Sequence, residues 1–298
     1  MADKHILHML TPLKHMSPFD VNMALDAGFD ATLSYTGVTL EEVSGLVQDT
    51  MFSRPPKTGT RTGVFFGGKN AVLSLDMMAA ARKAMFPPFE ISLFADPAGS
   101  FTTAAAMVAC VEKVLKDRKG RQLKGLKVAV FGATGVVGFS AAVIAALEGA
   151  DVTLVGYDGI HRVADAAKQI LARFAVEARA ADGSDDAKKT EILRASDVAL
   201  CAGRAGVRIL SGGQLAAAAN LLLVADVNAV PPSGVENLDM AANGSELSAT
   251  GMLGIGPLAI GNIKYKTESG LFRRMIEATK AVRFDFRDAF ALARELNG

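Results

Sequence analysis

Three glycines at three-residue spacing, Gly132, Gly135 and Gly138, follow the apolar run KVAVF (127–131) and lead into an apolar segment that reads as a helix from Val136. Glycine permits the tight turn and lets the backbone approach a diphosphate. The amides of Thr134, Gly135, Val136 and Val137 then lie at a helix start, where unpaired N–H groups and the positive dipole end favour an anion. A second apolar run, DVTLV (151–155), follows, and Asp158 stands 20 residues beyond Gly138. A carboxylate there can accept hydrogen bonds from the hydroxyls of an adenosine ribose. Glycines, both strands, the helix and the acid form one compact unit, as dinucleotide binding requires. A purely structural strand-to-helix turn would need the glycines but not the acid. Asp158 would repel a 2′-phosphate and so favours NAD. Arg162, in GYDGIHR, would pair with that phosphate if turned inward, which admits NADP; otherwise it is a solvated first-turn helix residue.

Two later strand ends could complete this site. Ala202 and Gly203 end DVALCAG, where small residues let a ribose approach. Asp226 and Asn228 in VADVNAV could hydrogen-bond a ribose or carboxamide, although both types also favour turns. A second polar cluster lies in LFADPAGSFTTAAAM (93–107): Asp96 ends a strand, a Pro-Ala-Gly-Ser turn follows, and Thr102 and Thr103 open an alanine-rich helix. One hydroxyl is accounted for by capping; the other, with Asp96 and Ser100, could face a cleft.

The elements that must hold these residues alternate along the chain. Strands at 127–131, 151–155, 176–180, 198–202 and 221–226 with helices between them predict a parallel sheet, and their near-continuous apolar character fits strands covered on both faces. Upstream, strands at 5–10, 63–67 and 90–95 alternate with helices at 18–27 and 72–85, and a helix at 102–116 precedes the charged segment DRKGRQLKG (117–125). A Gly-rich loop is expected from Gly251, then helices at 267–281 and 287–296. The expected fold is α/β with two α/β domains: residues 1–120, completed by C-terminal helices over 267–298 that pack back on it, and residues 121–266 as a Rossmann-like doubly wound parallel sheet.

Lys and Arg number 32 against 31 Asp and Glu, no basic stripe is evident and Trp is absent, so nucleic acid is a poor partner. Cys110 and Cys201 each sit in apolar segments and read as buried thiols in a reducing compartment, not as a disulfide or metal site. Neither a leader peptide nor a membrane span is expected. A cytoplasmic enzyme, with a homo-oligomer as the default for this class, fits best.

Four segments taken together, ADPAGSFTTAAAM, FGATGVVG, VADVNAVPPSGVE and GMLGIGPLAIGNIKYK, resemble the methylene-tetrahydromethanopterin dehydrogenases of methylotrophic bacteria, and the likeness runs over nearly the whole chain. More distantly the arrangement is similar to methylene-tetrahydrofolate dehydrogenases; that activity, or another Rossmann dehydrogenase reaction, is the alternative. The resemblance implies oxidation of methylene-tetrahydromethanopterin to the methenyl form, with hydride passing to NAD or NADP, in the oxidation of formaldehyde carbon. It implies that the first domain takes the pterin. It matches Lys264 to a lysine important for the reaction, with Lys266 as the neighbour if the alignment slips. Asp20 matches an acidic position near the pterin, and Ser100, Thr102 and Thr103 match a polar turn beside the reacting rings. Relatives strict for NADP carry basic residues where this chain has Tyr157 and Asp158.

Overall fold

The computed structural model describes residues 4–247 and 251–298. In chain order the elements are β1 (Ile6–Thr11), α1 (Pro18–Ala27), β2 (Ala31–Thr36), α2 (Val43–Phe52), β3 (Thr62–Phe66), α3 (Ala71–Ala84), β4 (Ser92–Ala95), α4 (Ser100–Lys119), β5 (Lys127–Phe131), α5 (Val136–Leu147), β6 (Asp151–Gly156), α6 (His161–Phe174), β7 (Arg179–Asp182), α7 (Asp186–Arg194), β8 (Val198–Cys201), α8 (Gly212–Ala216), β9 (Leu223–Asp226), β10 (Asn243–Glu246), β11 (Leu253–Ile255), α9 (Pro257–Glu277), β12 (Arg283–Phe284) and α10 (Phe286–Asn297). They divide into two compact units. The first holds the chain up to Thr102 together with Tyr265–Leu292, and the second holds Thr103–Lys264 with Ala293–Gly298.

The first unit is built on a five-stranded sheet in the order β2-β1-β3-β4-β12, with every pairing parallel. β3 and β4 are buried along their whole length, as apolar strands covered on both faces must be. The aromatic core joins distant segments: Phe272 of α9 lies 5.6 Å from Phe65, 5.1 Å from Phe94 and 6.1 Å from Phe29, ring centre to ring centre. Phe286 of α10 meets Phe101 edge-on at 5.5 Å. β2 and β12 were not expected. β2 is an edge strand with half its positions exposed, so it lacks an apolar run. β12 is two residues long and pairs in register with Leu93 and Phe94. α2 was also not expected; it buries Val43, Val47, Thr50 and Met51 at helical spacing.

The second unit carries a seven-stranded sheet in the order β10-β11-β9-β8-β5-β6-β7. All pairings are parallel except β10 with β11 at the edge. Strand order runs outward in both directions from β5 and β8, which is the doubly wound arrangement, and α5 is buried along most of its length. The α/β class, with a doubly wound parallel sheet in the second unit, is therefore as the sequence predicts, and the sheet of the first unit is parallel as well.

One expectation is overturned locally. The segment after Gly251 is not a long Gly-rich loop: α9 opens at Pro257, ten residues before the expected start. Gly261 costs such a helix about 1 kcal/mol relative to alanine, but Ile260 and Ile263 are buried on it, and their burial outweighs that cost.

The segment Pro97–Lys119 is long and apolar enough to cross a membrane by length and composition, but 78% of its most apolar window is buried within the protein, so it serves as a core helix.

Candidate active site

The glycine loop occupies the turn from β5 to α5, where the strand order of the second sheet reverses. Gly132 holds φ +79°, a backbone region that penalises any side chain, and a Cβ there would overlap the Ala202 carbonyl. The turns after β5 and β8 are thus pressed together, and Ala202 N donates to Phe131 O at 2.9 Å. A Cβ on Gly138 would run into the Gly132 backbone. Gly135 differs. It is exposed, caps α5 with extended backbone (φ −81°, ψ 163°), and a Cβ on it would touch only Gly132 O at 3.3 Å. Two glycines are therefore needed for the fold, while the third leaves open the space before the first amides of α5. The half-buried Val136 and Val137 supply those amides. This cradle fits a dinucleotide diphosphate.

Asp158 lies two residues past the end of β6, on the same sheet edge. Arg162 donates to Asp158 Oδ2 at 3.0 Å, to Tyr157 Oη at 3.1 Å and to Thr134 Oγ1 at 3.4 Å. The guanidinium also lies over the Tyr157 ring, 5.8 Å from its centre. Thr134, Asp158 and Arg162 are thus one exposed network linking the glycine loop to the end of β6. Ala202 and Gly203 lie against Gly132 of the loop, and a Cβ on Gly203 would strike the Ile209 side chain.

Asp226 and Asn228 are buried; Asp226 is engaged by its own loop, and Asn228 by its own loop and by the loop after β8. Asp226 accepts from Asn228 N at 3.0 Å and from Val235 N at 3.2 Å. Asn228 accepts from Gly206 N and Val230 N at 3.2 and 2.9 Å and donates to Pro232 O at 2.9 Å. Burial raises the Asp226 carboxyl above the ordinary carboxylate range, against the pull of these backbone donors. Loop backbone groups account for each of these contacts.

In the first unit, the strand order reverses between β1 and β3. A cavity of about 410 Å³ opens there, lined by Thr11, Lys14, His15, Asp20, Lys69 and Ala98 among others. Asp20, in the first turn of α1, is only 1% exposed yet lines this space. Its placement follows from local sequence: Ser17 caps α1 by accepting from Asp20 N, and Pro18 opens the helix. Ala98 lines the same cavity in a left-handed conformation (φ 54°, ψ 37°), a strained state for a non-glycine residue that clusters at functional sites. Lys14, His15 and Ala98 were absent from the sequence-derived site, and the one signal for them was position, just past the ends of β1 and β4. Lys69, in FFGGKN just past β3, stands at a strand end where the sequence itself permits close approach of a ligand or a simple turn.

Asp96, at the end of β4, is fully buried and binds the start of α4. It accepts from Phe101 N at 2.7 Å, from Thr102 N at 3.3 Å and from Thr102 Oγ1 at 2.6 Å. Thr102 is fully buried as well, Ser100 nearly so, and Thr103 is half-buried. Lys264 and Lys266 lie in the middle of α9, not in a loop. Residues two apart on a helix do not share a face. Lys264 is half-buried and Lys266 exposed.

A family model for the N-terminal part of methylene-tetrahydromethanopterin dehydrogenases matches residues 18–98. The NAD(P)-dependent methylenetetrahydromethanopterin dehydrogenase of Methylorubrum extorquens is 52% identical over 295 residues, covering 99% of both chains. The bifunctional protein MdtA of the same organism is 34% identical, covering 94% of both. Among solved structures, shikimate 5-dehydrogenase from Listeria monocytogenes superposes with a TM-score of 0.52 at 14% identity over 91% of each chain, a likeness of fold alone. A reversal of strand order carrying a glycine cradle, in a chain sharing half its residues with such an enzyme from end to end, places this protein in the family of NAD(P)-dependent methylenetetrahydromethanopterin dehydrogenases.

Proposed function

We propose that the chain performs its family's reaction with a division of labour: the glycine loop of the second unit holds the dinucleotide, and the β1/β3 cavity of the first holds the pterin. The reaction is the oxidation of methylene-tetrahydromethanopterin to the methenyl form, a step of one-carbon metabolism. The dinucleotide, NAD or NADP, supplies the hydride acceptor. The carbon that loses hydride lies between two nitrogens, so the positive charge spreads over an amidinium. Neither a base at that carbon nor a polarising group is required, and the protein's task is to bind, orient and exclude water.

In this reading the amides of Val136 and Val137 and the α5 dipole hold the diphosphate. Asp158 accepts from the adenosine ribose, and Arg162 turns from Asp158 to a 2′-phosphate when NADP is bound. Asp20 accepts from the N–H groups of the pterin, with Lys14, His15 and Lys69 around it. Asp96 and Thr102 hold the α4 turn that presents Ser100 and Thr103. Lys264 orients the carrier, since a cation beside a developing amidinium would be repelled. The observation that carries this assignment is Asp20, a buried carboxylate lining a cavity at the strand-order reversal of its sheet.

The two buried thiols fit a reducing compartment, and we place the enzyme in the cytoplasm. Phe52 and Phe86, 54% and 48% exposed and packed with Phe89, support self-association into a homo-oligomer.

Steady-state kinetics of Asp20→Ala tests the assignment. The KM for methylene-tetrahydromethanopterin is expected to rise by about tenfold or more, with the KM for NAD within about twofold of wild type. Equal shifts in both, or in neither, would remove Asp20 from the pterin site. A tetrahydrofolate carrier in parallel tests the carrier assignment, which fails if that substrate turns over as well.

A further inference from the structure

A second cavity, of about 510 Å³, lies wholly within the second unit. Its walls come from the last turns of α4, the 121–124 segment ahead of β5, the end of α5 and the end of α10. The glycine loop follows the other end of β5, so the cavity sits about 17 Å away along the strand. It plays no part in the dinucleotide cradle.

Its charge is lopsided. Lys113, Lys116, Arg121, Lys124 and Arg294 face only two carboxylate side chains, Glu112 and Glu148. Both carboxylates are already engaged. Arg294 holds Glu112 in a two-pronged hydrogen bond, with Nε to Oε2 at 2.6 Å, and bonds Glu148 as well. Lys113 is tied to Asp117 at 3.1 Å and to the Gly298 carbonyl at 3.0 Å. The side chains of Lys116, Arg121 and Lys124 have no ion-pair or hydrogen-bond partner among the described residues. The dipole of α4 explains a lysine in its last turn. It does not explain why Arg121 and Lys124, beyond the helix, line the same space. The lining contains no aromatic ring, so nothing there would stack a nucleobase.

We infer that this cavity binds a small, non-aromatic polyanion carrying at least two phosphate or carboxylate groups. Arg121 provides a planar fork suited to either group, and Lys116 and Lys124 provide point charges on either side. The volume is in the range of ordinary small-ligand sites.

Calorimetric titration of the full chain at low ionic strength, with sodium pyrophosphate in one arm and citrate in the other, tests this. One saturable site per chain is expected in at least one arm, and the arm that binds identifies the group. The affinity is expected to fall at least about tenfold in Lys116→Ala/Arg121→Ala/Lys124→Ala. It should hold in the charge-matched variant Lys57→Ala/Lys83→Ala/Lys280→Ala, whose side chains are exposed elsewhere. NAD affinity reports that both variants are folded. Absence of saturable binding in both arms, or equal weakening in both variants, overturns the inference.

Discussion

At the scale of single residues, the proposed cofactor site turns on one ion pair. The Arg162 guanidinium is engaged by Asp158 at 3.0 Å, and both side chains are largely exposed, so the pair is weak and can be exchanged for a ligand phosphate. Asp158→Ala is expected to raise the ratio of kcat/KM for NADP over NAD by about tenfold, by removing a ribose acceptor and freeing Arg162. A ratio unchanged from wild type would place the ribose elsewhere. Lys264 and Lys266 can be separated in the same way. Lys264 is half-buried and its neighbour exposed on another face of α9. Lys264→Ala is expected to lower kcat by about a hundredfold and Lys266→Ala by less than about threefold. Comparable small losses in both would exclude Lys264 from the reaction.

At the scale of elements, the glycine loop divides folding from binding. Gly135→Ala adds a methyl group at a permitted φ against one carbonyl at 3.3 Å. The melting temperature should stay within about 4 °C of wild type, while the KM for NAD rises by about tenfold or more through the lost approach of the diphosphate. Gly132→Ala meets a left-handed φ and the Ala202 carbonyl together. It is expected to cost about 2 kcal/mol or more in stability, seen as an earlier denaturant midpoint. If both variants bind NAD like wild type, the loop is only a turn. Asp96 shows how a residue can be identified from sequence while its contacts are not. The DPAGSFTT pattern marks a polar turn before a helix, but only the fold shows Asp96 holding Phe101 N, Thr102 N and Thr102 Oγ1 at once.

At the scale of the molecule, the first unit is assembled from both ends of the chain. Phe272 and Phe286 are fully buried among Phe29, Phe65, Phe94 and Phe101, and β12 completes the sheet beside β4. Loss of a buried Phe side chain alone costs about 3–5 kcal/mol, comparable to the whole stability of a domain. A fragment of residues 1–120 is therefore expected to lack cooperative unfolding and dispersed amide NMR signals, and adding residues 265–298 as a second fragment should restore them. A cooperatively folded 1–120 fragment would show that the C-terminal segments are dispensable.

The sequence by itself determined what depends on near neighbours. The spacing of Gly132, Gly135 and Gly138, the acid at Asp158, the Ser17-Pro18 start of α1 and the buried apolar strands all follow from stereochemistry and burial over a few residues. Only the tertiary structure decided what depends on strand order. It brought Lys14, Asp20, Lys69 and Ala98 to one cavity, gave Asp226 and Asn228 backbone partners in the loops after β8 and β9, and carried α9 through Gly261 to Lys264. Side chains distant in sequence converge only where sheet topology and long-range packing bring them together, and no local pattern in the chain records that convergence.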